Sequence, residues 1–215
     1  MSNDSQLQQD VLAELNWEPS VTAAHIGVTA NAGVVTLTGH VESFAEKHAA
    51  ETAARRVKGV KALAEEIEVQ LPFDRKRGDD EIAEAALDRL AWDVSVPANS
   101  VKAKVEQGWV TLTGEVDWHY QKEAAEQDIR RLSGVVGVSN HTTIKSRVNA
   151  LDLRDNIMTA LRRSWFAPTT IVVTADGGKV RLSGTVQSPH DRQVAVTTAW
   201  AAHGTTNVEN LISIL

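Results

Sequence analysis

The chain has 215 residues, 42% hydrophobic and 23% charged, with a formal charge of −6 and no cysteine. That composition is ordinary for a globular chain, and it excludes a disulfide framework, a thiol nucleophile and a cysteine metal site. A general nucleic-acid or anionic-surface binder would carry a basic excess. Here residues 1–72 carry ten acids and five bases, 73–146 thirteen and ten, and 147–215 five and seven, so only the last third leans positive.

The polar, acidic start Met1–Asp10 has neither the positive start nor the apolar stretch of a secretory signal. It predicts a cytoplasmic protein, periplasmic only if a leader has been removed. No window approaches the roughly 18 apolar residues of a spanning helix.

Leu7, Val11, Leu12 and Leu15 form one apolar helical stripe, repeated as Ile82, Ala86, Leu87, Leu90 and as Leu153, Ile157, Met158, Leu161. Alternation follows at Ile26, Val28, Ala30, at Val101, Ala103, Val105 and at Ile171, Val173, Ala175. This predicts a half-buried strand. Tight turns at Asn31-Ala32-Gly33, Glu106-Gln107-Gly108 and Asp176-Gly177-Gly178 lead into one phrase written three times: Gly33-Val-Val-Thr-Leu-Thr-Gly39, Gly108-Trp-Val-Thr-Leu-Thr-Gly114 and Gly178-Lys-Val-Arg-Leu-Ser-Gly184. The pattern reads as a β-hairpin.

A second helix is announced by Ser43-Phe-Ala-Glu46 and Ser188-Pro-His-Asp191, each a capping serine three residues before an acid. Its small inner residues are Ala49, Ala50 and Ala54, with counterparts Ala124 and Ala125, and Ala195 and Ala199. It ends at Gly59, Gly134 and Gly204. A third strand closes each unit at Leu63–Val69, Val138–Ile144 and Val208–Ile214. The fold class is therefore α+β: three tandem αββαβ units, 1–72, 73–146 and 147–215. Each has a three-stranded mixed sheet, its last strand parallel to the second, with two helices on one face.

These residues in this order resemble the BON family (bacterial OsmY and nodulation domain), three times over. The first copy carries the likeness most fully, in Asn16-Trp-Glu-Pro19, Ile26-Gly-Val28, the glycine phrase, Glu46-Lys47 and Val57-Lys-Gly59-Val60. The second keeps Trp92-Asp93 and Ser133-Gly134-Val135. The third departs most, with one residue fewer before its hairpin and Thr205 after Gly204. The resemblance implies non-enzymatic binding modules, with attachment to phospholipid or membrane surfaces, chaperone-like behaviour toward exposed polypeptide under osmotic stress, or potassium binding. It brings no catalytic residues and no cofactor.

The ligand-contact candidates are Trp109, Trp118, His119, Tyr120, Arg162, Arg163, Trp165 and Phe166. Trp118-His119-Tyr120 stands where the sister copies carry a capping serine, a place for a binding surface or for packing on a neighbouring unit. Asp117 is positioned to take over the cap by a one-residue shift. Trp109 belongs to the open sheet face. Arg162-Arg163-Ser164-Trp165-Phe166 mixes cations with aromatics as phosphate-binding surfaces do. Trp17, Trp92 and Trp200 are expected in core or interface packing. Gly39, Gly114 and Gly184 point inward, where a side chain would meet the alanine-lined helix. Glu65, Asn140 and Asn210 share an inward position suited to bonding loop backbone.

The seven histidines show no helical pair that would suit zinc. Potassium, held by carbonyl oxygens, would leave no sequence mark. DNA is not an expected partner, and KH-like RNA binding is disfavoured by the lack of a Gly-x-x-Gly loop between helices. Val172, Leu211 and Leu215 on the open face of the third unit predict packing or homodimerisation there.

Overall fold

The computed structural model describes residues 3–145, 150–163 and 170–214. The apolar stripe of Leu7, Val11 and Leu15 folds as α1 (Asn3–Trp17), with all three side chains buried. Strands β1 (Ile26–Asn31) and β2 (Val34–Val41) pair antiparallel across a two-residue turn, with Ala32 and Gly33 both at positive φ. That is the turn whose twist matches a hairpin. After α2 (Phe44–Arg56), β3 (Ala62–Val69) runs parallel to β2, so the sheet order is β1-β2-β3.

The second repeat is α3 (Asp79–Trp92), β4 (Val101–Glu106), β5 (Trp109–Val116), α4 (His119–Arg130), β6 (Gly137–Asn140) and β7 (Thr143–Ile144). Its sheet is ordered β4-β5-β6, with β7 beside β5, because the last strand breaks at His141–Thr142. The third is α5 (Ala150–Leu161), β8 (Ile171–Asp176), β9 (Lys179–Val186), α6 (Pro189–Trp200) and β10 (Asn207–Ile214). Here β8 and β9 pair antiparallel, and β10 and β9 pair parallel. Each repeat is thus the αββαβ unit its sequence predicts, with the last strand parallel to the second. The chain falls into two compact bodies. One runs to Ala86 and takes in Lys104–Thr111 and Asp128–Ser139; the other holds Leu87–Ala103, Leu112–Gln127 and the chain from Asn140.

Burial follows the predicted parity. Val35, Leu37 and Val41 are buried in β2, and the same holds for Val110, Leu112, Val116 and for Val180, Leu182, Val186. Leu87 departs from its stripe and is exposed. The capping serines act as expected: Ser43 Oγ accepts the Glu46 N–H (3.1 Å) and Ser188 Oγ the Asp191 N–H (3.1 Å). Glu46 also reaches back. Its carboxylate accepts the Glu42 N–H (3.0 Å) and the Thr22 N–H (2.7 Å), fastening the loop before β1 to the head of α2. In the second repeat this reach-back falls to Gln121, whose Oε1 accepts the N–H groups of Asp117 and Trp118 (3.0 Å each).

Gly39, Gly114 and Gly184 hold φ of 111°, 145° and 118°. A Cβ there would run into the carbonyl oxygens of His25, Ser100 and Thr170, at the head of the first strand. The obstacle is backbone, not the alanine-lined helix, and the left-handed conformation adds its own penalty.

The shared position of Glu65, Asn140 and Asn210 divides. Asn140 Oδ1 accepts the Thr142 N–H (3.1 Å) and Asn210 Oδ1 the Ile212 N–H (3.0 Å), whereas Glu65 pairs with Lys47 at 3.1 Å.

Candidate functional site

Trp17 and Trp92 are the final residues of α1 and α3, and both project into solvent, 82% and 84% exposed. Their expected burial is overturned. Each lies two residues past the last buried leucine, Leu15 or Leu90. At about 100° per residue that turns the indole about 200° away from the core stripe.

The next loop repeats as well. Ser20 Oγ donates to Glu18 Oε1 (2.8 Å), and Asp93 Oδ1 accepts the Ser95 N–H (2.7 Å). Beside Trp17, the Arg56 guanidinium bridges Glu14 (3.1 Å) and Glu18 (2.9 Å). The Ser20 hydroxyl, then Arg56, hold the Glu18 carboxyl below its ordinary pKa, and Glu18 and Glu14 raise that of Arg56. The linker adds another exposed aromatic, Phe73.

The Trp118-His119-Tyr120 stretch opens α4 and is half covered by the third repeat. The His119 ring stacks on Trp200, centroids 3.8 Å apart and planes 22° apart. Trp118 meets His203 edge-on at 4.6 Å and lies 6.4 Å from Tyr120. Trp200 thus has the interface role expected of it. Loss of solvation lowers the His119 pKa, opposed by Glu123, 3.5 Å away, and by Glu126, and reinforced by Lys122. Of the three residues, Tyr120 is the most exposed.

Trp109 is 48% exposed on the open face. Its ring lies over Gly137, where a Cβ would collide with it, and its indole N–H donates to Ser139 Oγ (3.0 Å). An aromatic laid across a neighbouring-strand glycine covers backbone that lacks a side chain.

Arg162 and Arg163 are exposed in the turn after α5, while Trp165 and Phe166 lie outside the described residues. On the third sheet, Val172, Ser183 and Leu211 form one row across the strands, with Val172 and Leu211 exposed. Leu215 is outside the described residues. His25 and His40 stack at 4.7 Å, brought together at the open end of the first hairpin by the antiparallel pairing of Ile26 with Gly39. Among the described residues, no cluster of three or more His, Asp or Glu side chains is placed to hold a metal, and no helix is long and apolar enough to cross a membrane.

Among the described residues the geometry therefore offers scattered aromatic surface. The described part of the candidate set separates into a ring cluster (Trp118, His119 and the more exposed Tyr120), a sheet-face indole (Trp109) and a pair of exposed arginines.

The BON domain family model matches residues 3–70, 78–146 and 149–215. Over 150 residues the chain is 31% identical to Osmotically-inducible protein Y of Escherichia coli (strain K12), an alignment covering 66% of this chain and 73% of that protein. Among solved structures, CdsD, a structural protein of the type III secretion system of Chlamydia trachomatis, aligns at 16% identity over 98% of this chain and 92% of its own, with a TM-score of 0.28. The CdsD C-terminal domain aligns at 15% identity over 97% of each chain, also with a TM-score of 0.28. Superposition this loose carries no argument about fold or function. The three family matches and the sequence relative do carry one: the chain belongs to the BON domain family, with three tandem matches to it.

Proposed function

We propose that this is a non-enzymatic attachment protein of a stress response, built from three units (1–72, 73–146 and 147–215) that engage phospholipid surfaces weakly and repeatedly. The observation that carries this reading is the pair Trp17 and Trp92, presented to solvent at the same repeat position. An indole combines an apolar body with a polar N–H and partitions to the lipid–water boundary. Several weak anchors on one chain raise avidity without new contacts. The relation to an osmotically inducible protein supports the stress setting, and BON membership supports a binding role without chemistry.

The formal charge of −6 sets the character of the attachment. It rests on insertion of aromatics more than on attraction to anionic headgroups, so salt changes it little. Co-sedimentation with phosphatidylcholine and phosphatidylglycerol vesicles, at low and high salt, tests this directly. The expected result is binding to both lipids that falls about tenfold or more in the Trp17→Ala/Trp92→Ala variant. Absence of binding, or binding untouched by that variant, overturns the reading. If vesicles are ignored while aggregation of an unfolding protein is suppressed in a Trp17-dependent way, the surface is polypeptide.

A further inference from the structure

The outer edges of the two helices are closed in the first repeat and open in the third. In the first, the Arg56 guanidinium spans from α2 to Glu14 on α1. Superposing the buried stripes, Leu7, Val11 and Leu15 on Leu153, Ile157 and Leu161, and Ala50 and Ala54 on Ala195 and Ala199, puts Ala160 where Glu14 stands and Ala201 where Arg56 stands. Two long charged side chains become two methyl groups. What remains between α5 and α6 is a trough with buried Ile157 and half-buried Ala160 at its base, exposed Ala201, Thr159 and Thr197 along its sides, and exposed Arg163, His190 and His203 at its edge.

No carboxylate lines this trough among the described residues. An arginine fork and two imidazoles at the edge of an apolar floor favour an anion, and the floor favours a hydrocarbon beside it. The rim is partly fixed, since His203 packs edge-on against Trp118. The surrounding charge agrees, because 147–215 is the one third of the chain with more bases than acids.

We infer that this trough binds a single-chain anionic amphiphile in monomeric form, with its head at Arg163, His190 and His203 and its chain along Ile157, Ala160 and Ala201. The site is separate from the exposed tryptophans and does not rest on vesicle attachment.

Calorimetric titration of the full chain with dodecyl phosphate, kept below its micellar concentration and with circular dichroism unchanged, is the test. Dodecyltrimethylammonium supplies the same chain with the opposite charge, and inorganic phosphate supplies the head alone. One molecule of dodecyl phosphate should bind, with the other two at least about tenfold weaker. The Ala160→Glu/Ala201→Arg pair installs the bridge that the first repeat already accommodates, and it should weaken dodecyl phosphate about tenfold or more while leaving vesicle association unchanged. Arg163→Gln should weaken it in the same direction without filling the trough. Equal binding of all three probes, or unchanged binding in both variants, overturns the proposal. Loss of vesicle binding with dodecyl phosphate binding intact removes the attachment reading and leaves this one standing. Displacement of dodecyl phosphate by an acidic amphipathic peptide at lower concentration would mean a polypeptide occupant and would also overturn it.

Discussion

The helix pairs of the first and third repeats rest on the same buried residues and present opposite surfaces. Inside, Leu15 and Leu161, Leu37 and Leu182, and Ala54 and Ala199 are all fully buried. Outside, the first pair is bridged by Glu14, Arg56 and Glu18 and ends in an exposed Trp17, while the third carries Ala160, Ala201 and Arg163 at the matching places. The frame tolerates this exchange because exposed ion pairs contribute little to stability. What is copied is therefore the core and its turns, and what varies is the surface available for contact.

The sharpest way to break that comparison is to damage the shared frame. Gly39→Val or Gly184→Val should each cost about 2–4 kcal/mol, through a left-handed φ and a Cβ driven into the His25 or Thr170 carbonyl. Urea denaturation of the full chain measures it. A loss of less than about 1 kcal/mol at either site would mean that the hairpin head yields easily and that the frame is not held in common.

A smaller effect is expected where the repeats differ. Trp200 occupies the place of Arg55, which in the first repeat merely pairs with Glu51 along its own helix. Trp200→Ala removes the ring stacked on His119 and should cost about 1–2 kcal/mol, with a double-mutant cycle against His119→Ala showing coupling. Arg55→Ala should fall within about 0.5 kcal/mol of the parent. Equal effects from the two substitutions would remove the distinction between the repeats at this position.

Most of the fold was legible because it rests on local periodicity and turn chemistry repeated three times. Leu7, Val11 and Leu15 announce a helix face, and Ala32-Gly33 announces a hairpin turn, whatever surrounds them. The exposure of Trp17 and Trp92 was legible too, since their phase relative to Leu15 and Leu90 turns them away from the core; the size and apolarity of tryptophan argued the other way and misled. Other features have no local signature. The stacking of His119 on Trp200 joins residues 81 positions apart, and the trough between α5 and α6 comes from two alanines that attract no notice until set beside Glu14 and Arg56. The collision that requires Gly39 lies with a carbonyl 14 residues earlier, which strand parity alone attributes to the helix.

The smallest expected effect separates, by pH, the contact of α4 with α6 from the bridge of the first helix pair. Burial against Trp200 lowers the His119 pKa, so the folded chain favours the neutral ring over the protonated one. The contact is at full strength above the ordinary histidine range and weakens as pH falls through that range toward the lowered value. Glu123 and Glu126 pull the other way and Lys122 adds to the shift, while His203 sits in the same cluster against Trp118. In the first repeat the depressed group is Glu18, so its contribution survives to lower pH and is lost only as the carboxylate itself protonates. Thermal melts from pH 8 to 4 should show a decline beginning near pH 6.5 that His119→Phe flattens and Glu18→Gln leaves in place. A decline confined to the carboxylate range, unchanged by His119→Phe, would show that the aromatic contact carries no titrating load.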